Sequence, residues 1–164
     1  MFREMRRKKQ ALTEEEIIKI MTDGTAGVLA VDGDGGYPYA VPLSYVYHDG
    51  KIFFHCAKSG HKLNAIRRNP KASFCVIGQD QVIPQEYTTY FRSVIAFGKV
   101  RILEDDAEKW DALRLLAKKY YPEAGTQEHD QAIRHDYAPV GIIELAIEHM
   151  TGKEAIELAR KRRT

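Results

Sequence analysis

The short connections between apolar segments restrict the fold of this chain more than any other feature. GVLAVD (27–32) and YPYAVPLSYVYH (37–48) are separated only by a glycine-rich turn, and 37–48 is joined to KIFFHCA (51–57) through Asp49-Gly50. Asp-Gly favours the tight turns of antiparallel hairpins. Parallel neighbours need a crossover of about a dozen residues or more. The connections therefore favour an antiparallel sheet.

About six strands and three or four helices can be assigned from residue types and spacing. The strands are predicted at 27–32, 37–48, 51–57, 71–78, 88–104 and 139–152, in segments rich in β-branched and aromatic residues. Gly98, inside the fifth segment, predicts a bulge or bend. Thr13 and Glu16 form a capping-box pattern before a helix that ends near Gly24. Further helices are predicted within 58–70, 105–121 and 126–135. Six strands joined mostly by tight turns, with these helices beside them, favour a mainly β fold, a β-barrel with flanking helices.

The composition is that of a globular protein with one domain, which we assign to residues 1–164. Apolar residues make up 44% of the 164 residues and charged residues 29%, ordinary globular values. No uncharged apolar run is long enough to span a membrane, and no apolar run follows the basic start as in a secretory signal. Cys56 and Cys75 lie in apolar runs and are interpreted as free thiols. We therefore expect a cytoplasmic protein.

Basic charge is concentrated at the two ends of the chain. Nine of the 25 Lys and Arg residues lie in 1–9 and 160–164, within the segments 1–11 and 153–164 that we interpret as basic tails. Residues 10–159 keep 16 basic and 22 acidic residues, a net charge of −6. A nucleic-acid-binding domain concentrates positive charge on its folded surface, so we expect no specific nucleic-acid partner.

The segment Lys58-Ser59-Gly60-His61-Lys62 has the features of a phosphate site. A strand ends here and a helix begins, and helix N-termini present free N–H groups and partial positive charge to anions. Ser59 could cap the helix, Gly60 would let a ligand approach the backbone, and the flanking side chains add positive charge. A solvated basic loop with an ordinary helix cap explains the same residues equally well.

The segment Pro42-Leu43-Ser44 predicts a strand with an unpaired edge. Proline cannot donate a ladder hydrogen bond, so it marks an edge, a bulge or a strand that faces a ligand. An edge strand without a ligand is the simpler interpretation. If the two halves of 37–57 lie side by side, an apolar wall adjoins the phosphate segment, which suits a mononucleotide with a large ring.

Other arrangements of reactive residues match no standard site. His55, Cys56, His61 and Cys75 do not have zinc-ligand spacing, so no metal site is predicted. No Gly-x-Ser-x-Gly elbow is present either, which leaves serine hydrolysis without support.

Three segments carry a resemblance to a known family: GVLAV, the run from Tyr37 to Gly78, and FRSVIAFGKVRIL. Together they resemble the FMN-binding split-barrel superfamily over roughly residues 12–150. The chain is most similar to its nitroimidazole-resistance (Nim-type) branch, which is related to pyridoxamine 5′-phosphate oxidase. The resemblance implies a six-stranded antiparallel split barrel of the FMN-binding type, FMN as cofactor, and a homodimer with the cofactor at its interface.

The resemblance also implies site residues. Pro42, Leu43 and Ser44 would face the isoalloxazine ring, and His55, Cys56 and Ala57 would pass beside the ring and the ribityl chain. The phosphate would be surrounded by Lys58, Gly60, His61 and Lys62. Three residues of the long strand at 88–104 would also approach the site, from this chain or from its partner: Phe91, Arg92 and Ser93. His61 also matches a histidine considered functional in the Nim-type branch, which makes it the candidate catalytic residue.

Three functions stay open at this point. The first is an FMN-dependent oxidoreductase that passes electrons from a reduced donor to a small-molecule substrate such as a nitroaromatic. The second is a non-catalytic flavin-binding or redox-sensing module, and the third is a heme-binding split barrel. The chain ends HMTGKEAIELARKRRT and lacks the C-terminal Arg/His segment that holds the B6 substrate in pyridoxamine phosphate oxidases, which argues against vitamin B6 oxidation.

Overall fold

The structure, a computed structural model, describes residues 1–162. The strands are β1 (Ala26–Asp32), β2 (Pro38–Ser44), β3 (Val46–His48), β4 (Lys51–Ala57), β5 (Lys71–Ile83), β6 (Thr88–Ile102) and β7 (Val140–Glu154). The helices are α1 (Glu14–Asp23), α2 (His61–Arg68), α3 (Asp106–Tyr120), α4 (Thr126–Asp136) and α5 (Ile156–Lys161). No helix in this range is long and apolar enough to cross a membrane.

All neighbouring strands are antiparallel, and the order across the sheet is β2-β1-β5-β6-β7-β4-β3. The predicted mainly β, antiparallel split-barrel fold is therefore confirmed. The strand count is corrected from six to seven, because the segment predicted as one strand at 37–48 forms two strands on opposite edges of the sheet. The strand predicted at 71–78 is also longer, since β5 continues to Ile83.

The chain passes from one sheet edge to the other at a single residue, Tyr45, between β2 and β3. The Tyr45 side chain is fully buried, and its hydroxyl donates to the Met21 carbonyl at 2.7 Å. Its backbone N–H donates to the Tyr120 hydroxyl at 2.9 Å instead of to a neighbouring strand. The β2 and β4 strands touch here without pairing. We call this unpaired boundary between β2 and β4 the seam.

The main core lies inside the curved sheet and is closed by α1 and α2. Phe54 and Phe74 are fully buried there, with ring centroids 5.0 Å apart at an interplanar angle of 72°, an edge-to-face arrangement that aromatic pairs favour. A second apolar cluster, which includes Phe53, Leu116 and Ile142, packs α3 against β4 and β7. This second cluster fixes α3 over the seam side of the barrel.

Local signals in the sequence set several elements. The Thr13–Glu16 capping box is present at the start of α1. The β3–β4 hairpin has positive φ at Asp49 (47°) and Gly50 (74°), as a tight primed turn requires. The β6–β7 register shifts between Phe97 and Gly98, which confirms the predicted bulge.

The two ends of the chain pack against the sheet. The C-terminal segment 153–164, which we assign as a basic and helix-prone tail, continues β7 to Glu154 and forms α5, with Ala155 and Ala159 buried. Arg163 and Thr164 lie outside the described residues. At the other end, the Phe2 ring stacks on His149 at 4.9 Å. The buried Gln10 amide donates to the Glu154 carbonyl at 2.8 Å.

Candidate functional site

A cavity of about 300 Å³ lies at the seam, between the ends of β2 and β4 and the helices α3 and α4. Ser44 and His55 line it from the strands, so the structure brings together two predicted site residues from separate segments. The opposite wall is mostly apolar and consists of Leu113, Leu116, Ala117, Ala132 and Ile133, with Tyr120 and Asp136. A shallow slot with one apolar wall and a few polar groups is a typical small-molecule site.

The predicted ring-facing residues of β2 do not share one face. Leu43 packs against the main core, whereas Pro42 and Ser44 are exposed. Because side chains alternate along a strand, the side chains of Pro42 and Ser44 can face a ligand at the outer surface, and Leu43 supports the strand from within. The prediction that β2 is an edge strand is confirmed by the sheet order.

The end of β4 divides its side chains in the same way. His55 and Ala57 are exposed, while Cys56 is half-buried. Cys56 lines a second cavity of about 250 Å³, together with Lys58, Leu63 and Lys109. Burial raises the pKa of the Cys56 thiol, although the positive charge of Lys62 opposes the shift. The side of β4 that carries Cys56 therefore lies near three lysines: Lys58, Lys62 and Lys109.

Gly60 begins α2, and the structure corrects the expected cap. Gly60 itself is the N-cap, with φ 137° and ψ 174°, and no side chain caps the helix. Ser59 lies one residue too early, because only glycine adopts this backbone conformation readily. A Cβ at Gly60 would meet no atom within 4 Å. The first N–H groups of α2 are therefore left without a side-chain cap, beside open space.

The predicted catalytic residue His61 contacts Tyr39 and Asp34, not the side of β4 that carries Cys56. Its ring lies against Tyr39 with centroids 4.1 Å apart. Its Nε2 lies 3.5 Å from the Asp34 carboxylate, to which Arg68 also binds at 2.8 Å. His61 lines neither of the two cavities described above. The four residues predicted to surround a phosphate thus divide, with Lys58 beside Cys56 and His61 beside Asp34.

The β6 residues Phe91, Arg92 and Ser93 lie away from both cavities. Two strands, β1 and β5, separate β6 from β2 in the sheet. The Arg92 Nε donates to the fully buried Glu154 carboxylate at 3.2 Å, beneath α1. Within one chain these three residues therefore do not join Ser44 and His55.

Sequence reasoning missed Lys109, Tyr120 and Asp136 as site residues. All three lie on α3 and α4, whose apolar stripe predicts only packing against a core. No local pattern shows which side chains of a covering helix will face a gap in the sheet. Within residues 1–162, no group of three or more His, Cys, Asp or Glu side chains is arranged to hold a metal ion.

The sequence profile described as pyridoxamine 5′-phosphate oxidase matches residues 13–154. No curated protein sequence matches the chain significantly.

Solved structures share the fold at low sequence identity. A candidate 5-nitroimidazole antibiotic resistance protein from Bacteroides thetaiotaomicron is 23% identical with a TM-score of 0.72, over 88% of this chain and 86% of that one. An FAD-binding protein from Mesorhizobium loti is 26% identical with a TM-score of 0.61, over 89% and 97%. A conserved hypothetical protein from Mycobacterium tuberculosis is 19% identical with a TM-score of 0.80, over 98% and 94%.

Proposed function

Because the chain belongs to the pyridoxamine 5′-phosphate oxidase family, we propose that it binds FMN along the seam and acts as an FMN-dependent oxidoreductase. The observation that carries the proposal is the α2 N-terminus. Its N-cap Gly60 faces open space beside the Lys58 and Lys62 side of β4. Uncapped N–H groups and nearby ammonium groups are what a phosphate monoester requires.

The seam cavity suits the flavin ring. Ser44 and His55 offer polar groups from the strand ends, and α3 and α4 offer an apolar wall for a flat aromatic system. The two proposed subsites are both reached from β4, since Lys58 follows the strand that carries His55. One extended molecule would thus place its phosphate at α2 and its ring at the seam. The FAD-binding protein from Mesorhizobium loti, which has the same fold, supports a flavin.

A bound flavin would supply the electron-transfer chemistry, and the protein would hold and orient it. The residues of the chain would bind the phosphate, hold the ring against the apolar wall and exclude water from its inner face. The apolar wall leaves room for a small aromatic acceptor such as a nitroaromatic compound. Turnover of such an acceptor with a reduced donor separates this function from a non-catalytic flavin-binding module.

We also propose a homodimer formed through the outer face of β1, β5 and β6. Val28, Cys75 and Ile95 lie directly opposite one another in the register, so their side chains share this face. Ile77 and Val82 are each 67% exposed in the single chain. Apolar patches of this kind mark association surfaces. A second copy would cover them and could bring its own β6 residues toward the seam.

The first experiment measures binding of FMN and riboflavin to the apoprotein by flavin fluorescence. In the Lys62→Met variant we expect FMN affinity to fall about tenfold or more, the effect of losing one charged contact. Riboflavin affinity should not change, because riboflavin has no phosphate. Arg67→Met removes a charge from the other end of α2 and is the matched control.

The outcomes of this experiment are distinct. Equal loss of FMN and riboflavin would place Lys62 outside the phosphate site. A wild-type protein that binds neither flavin would overturn the proposed function. The absorption spectrum of the purified protein gives a second readout, since a two-band flavin spectrum supports the proposal and a heme Soret band contradicts it.

A further inference from the structure

The second cavity contains a lysine that the proposed flavin site does not use. The cavity is bounded by the end of β4, the start of β7 and the first turn of α3. Lys109 reaches it from α3, Lys58 from the loop after β4, and Cys56 from β4 itself. The cavity of about 250 Å³ has room for a compact ionic group with several waters.

The Lys109 side chain is mostly buried and has no charged partner. It is 9% exposed, the lowest exposure of any lysine or arginine among residues 1–162. Its ammonium group lies 4.6 Å from the centroid of the Tyr137 ring, and it makes no hydrogen bond or ion pair in the described part of the chain. Its hydrocarbon stem is therefore covered by the protein, while the ammonium group is left free to contact an anion in the cavity.

The other cationic groups of this region have no partner either. Neither Lys58 nor Lys62 forms an ion pair with a carboxylate within residues 1–162, whereas Lys51 and Arg101 are both bound to the buried Glu144. Glu104 lines the same cavity but is exposed and lies beyond ion-pair distance of either lysine there. The cavity wall therefore has an excess of positive charge and lacks an internal counter-ion.

We propose that this cavity binds an oxyanion, a phosphate or carboxylate group, between Lys109 and Lys58. The positive charge of Lys62 acts electrostatically on the Cys56 thiol. Lys62 therefore adds positive potential to the cavity from the α2 side. The oxyanion supplies a charged partner for the Lys109 ammonium group. It can belong to a free small anion, to the phosphate of FMN, or to the additional phosphate of a dinucleotide.

The test uses the flavin-free full chain with inorganic phosphate and pyrophosphate, measured by isothermal titration calorimetry. We expect saturable binding by the wild type and about tenfold or weaker binding by Lys109→Met, as for loss of one charge-assisted hydrogen bond. Lys118→Met removes an exposed charge from the other end of α3 and should bind like the wild type. Met fills the volume of the buried side chain without its charge, so the variant is expected to fold.

A local readout accompanies calorimetry. In a Cys75→Ala background, the rate of Cys56 alkylation should fall when phosphate or pyrophosphate is added, because both occupy the cavity that Cys56 lines. Lys109→Met should remove this protection, and Lys118→Met should retain it. Absence of saturable anion binding in the wild type, or equal binding by wild type and Lys109→Met, overturns the proposal.

Comparison of riboflavin, FMN and FAD identifies the source of the oxyanion. If Lys109→Met weakens FAD alone, the cavity holds the additional phosphate of the dinucleotide. If it weakens FMN and FAD equally relative to riboflavin, the cavity holds the FMN phosphate. If it weakens only the inorganic anions, the site is separate from the flavin. A wild-type protein that binds the anions but no flavin would reject the proposed function and would still support the proposed anion site.

Discussion

At the scale of single residues, Gly98 shows how closely two backbones approach in this sheet. A Cβ built at Gly98 would lie 2.1 Å from the Ala146 carbonyl oxygen and 2.9 Å from a Leu145 methyl group. The bulge in β6 depends on this approach, because the β6–β7 register shifts at the same point. Side-chain relaxation cannot relieve the clash, since the nearest atom belongs to the backbone.

Gly98→Ala should therefore destabilise the protein by roughly 1–3 kcal/mol or more, the usual cost of overpacking a buried site. Urea unfolding followed by circular dichroism measures the change. Gly125→Ala is the control, because a Cβ there meets no atom within 4 Å and its φ of −78° suits alanine. Equal stability of the two variants would contradict the close approach.

The residues that could be predicted from the sequence are those with a local cause. The Asp49-Gly50 turn, the Thr13–Glu16 cap and Gly98 each act within a few residues of their own position, and all three predictions are confirmed. Ser59 failed as a cap because the backbone at Gly60 turns the chain one residue later. Lys109 could not be identified because its burial depends on β4 and β7, distant in sequence.

At the scale of elements, Glu144 on β7 ties two strands and a helix together. Its carboxylate accepts hydrogen bonds from Arg101 on β6 at 2.9 Å and from Lys51 on β4 at 3.2 Å. Arg101 also binds Glu108 on α3 at 2.7 Å. Burial alone would raise the pKa of Glu144, but the hydrogen bonds from Arg101 and Lys51 together lower it below the ordinary value of 4.5.

This pKa shift predicts a pH-dependent part of the stability. Since the pKa of Glu144 is lower in the folded than in the unfolded chain, its contribution is complete above pH 4.5 and is lost as the pH falls through the folded value. Glu144→Gln should cost about 1–3 kcal/mol at pH 7 and progressively less below pH 4.5. Thermal unfolding between pH 7 and pH 3 measures the difference.

Glu148→Gln on the same strand is the control for this prediction. Its contact with Lys99 is long, at 3.9 Å, and largely exposed, so the change should stay within about 0.5 kcal/mol. A cost for Glu144→Gln that does not vary with pH would show that packing, not charge, accounts for the effect.

The break between β2 and β3 is the element boundary that no local pattern could predict. Residues 37–48 are β-forming throughout, so the segment is predicted as one strand. The break at Tyr45 is fixed by Met21 and Tyr120, which lie 24 and 75 residues away. Tertiary hydrogen bonds therefore decide where this segment divides, and with it the position of the seam.

At the scale of the whole molecule, the proposed dimer depends on the outer face of β1, β5 and β6. Part of the sheet is already covered within the chain, where Phe2 packs on Phe97 and His149. Ile77 and Val82 remain largely exposed. A charged residue in the middle of such a face would be desolvated without a partner on association.

Ile77→Asp should therefore shift a dimer to monomer at micromolar concentration, as measured by multi-angle light scattering. If the partner chain completes the site, the variant should also bind FMN more weakly. Ile18→Asp changes an exposed apolar residue on α1 and should leave the mass unchanged. A wild-type protein that is monomeric with FMN bound would contradict the proposed dimer.

The seam has a further consequence for how the barrel can open. Each of the six neighbouring strand pairs is joined by a hydrogen-bonded ladder, so separating them breaks backbone hydrogen bonds. Separating β2 from β4 breaks none, since the two strands touch without pairing. Local opening of low free energy occurs where few such bonds are lost. Local opening of this barrel should therefore concentrate at the seam, with buried Tyr45 as the hinge. Such an opening would admit a planar molecule without unfolding of the barrel.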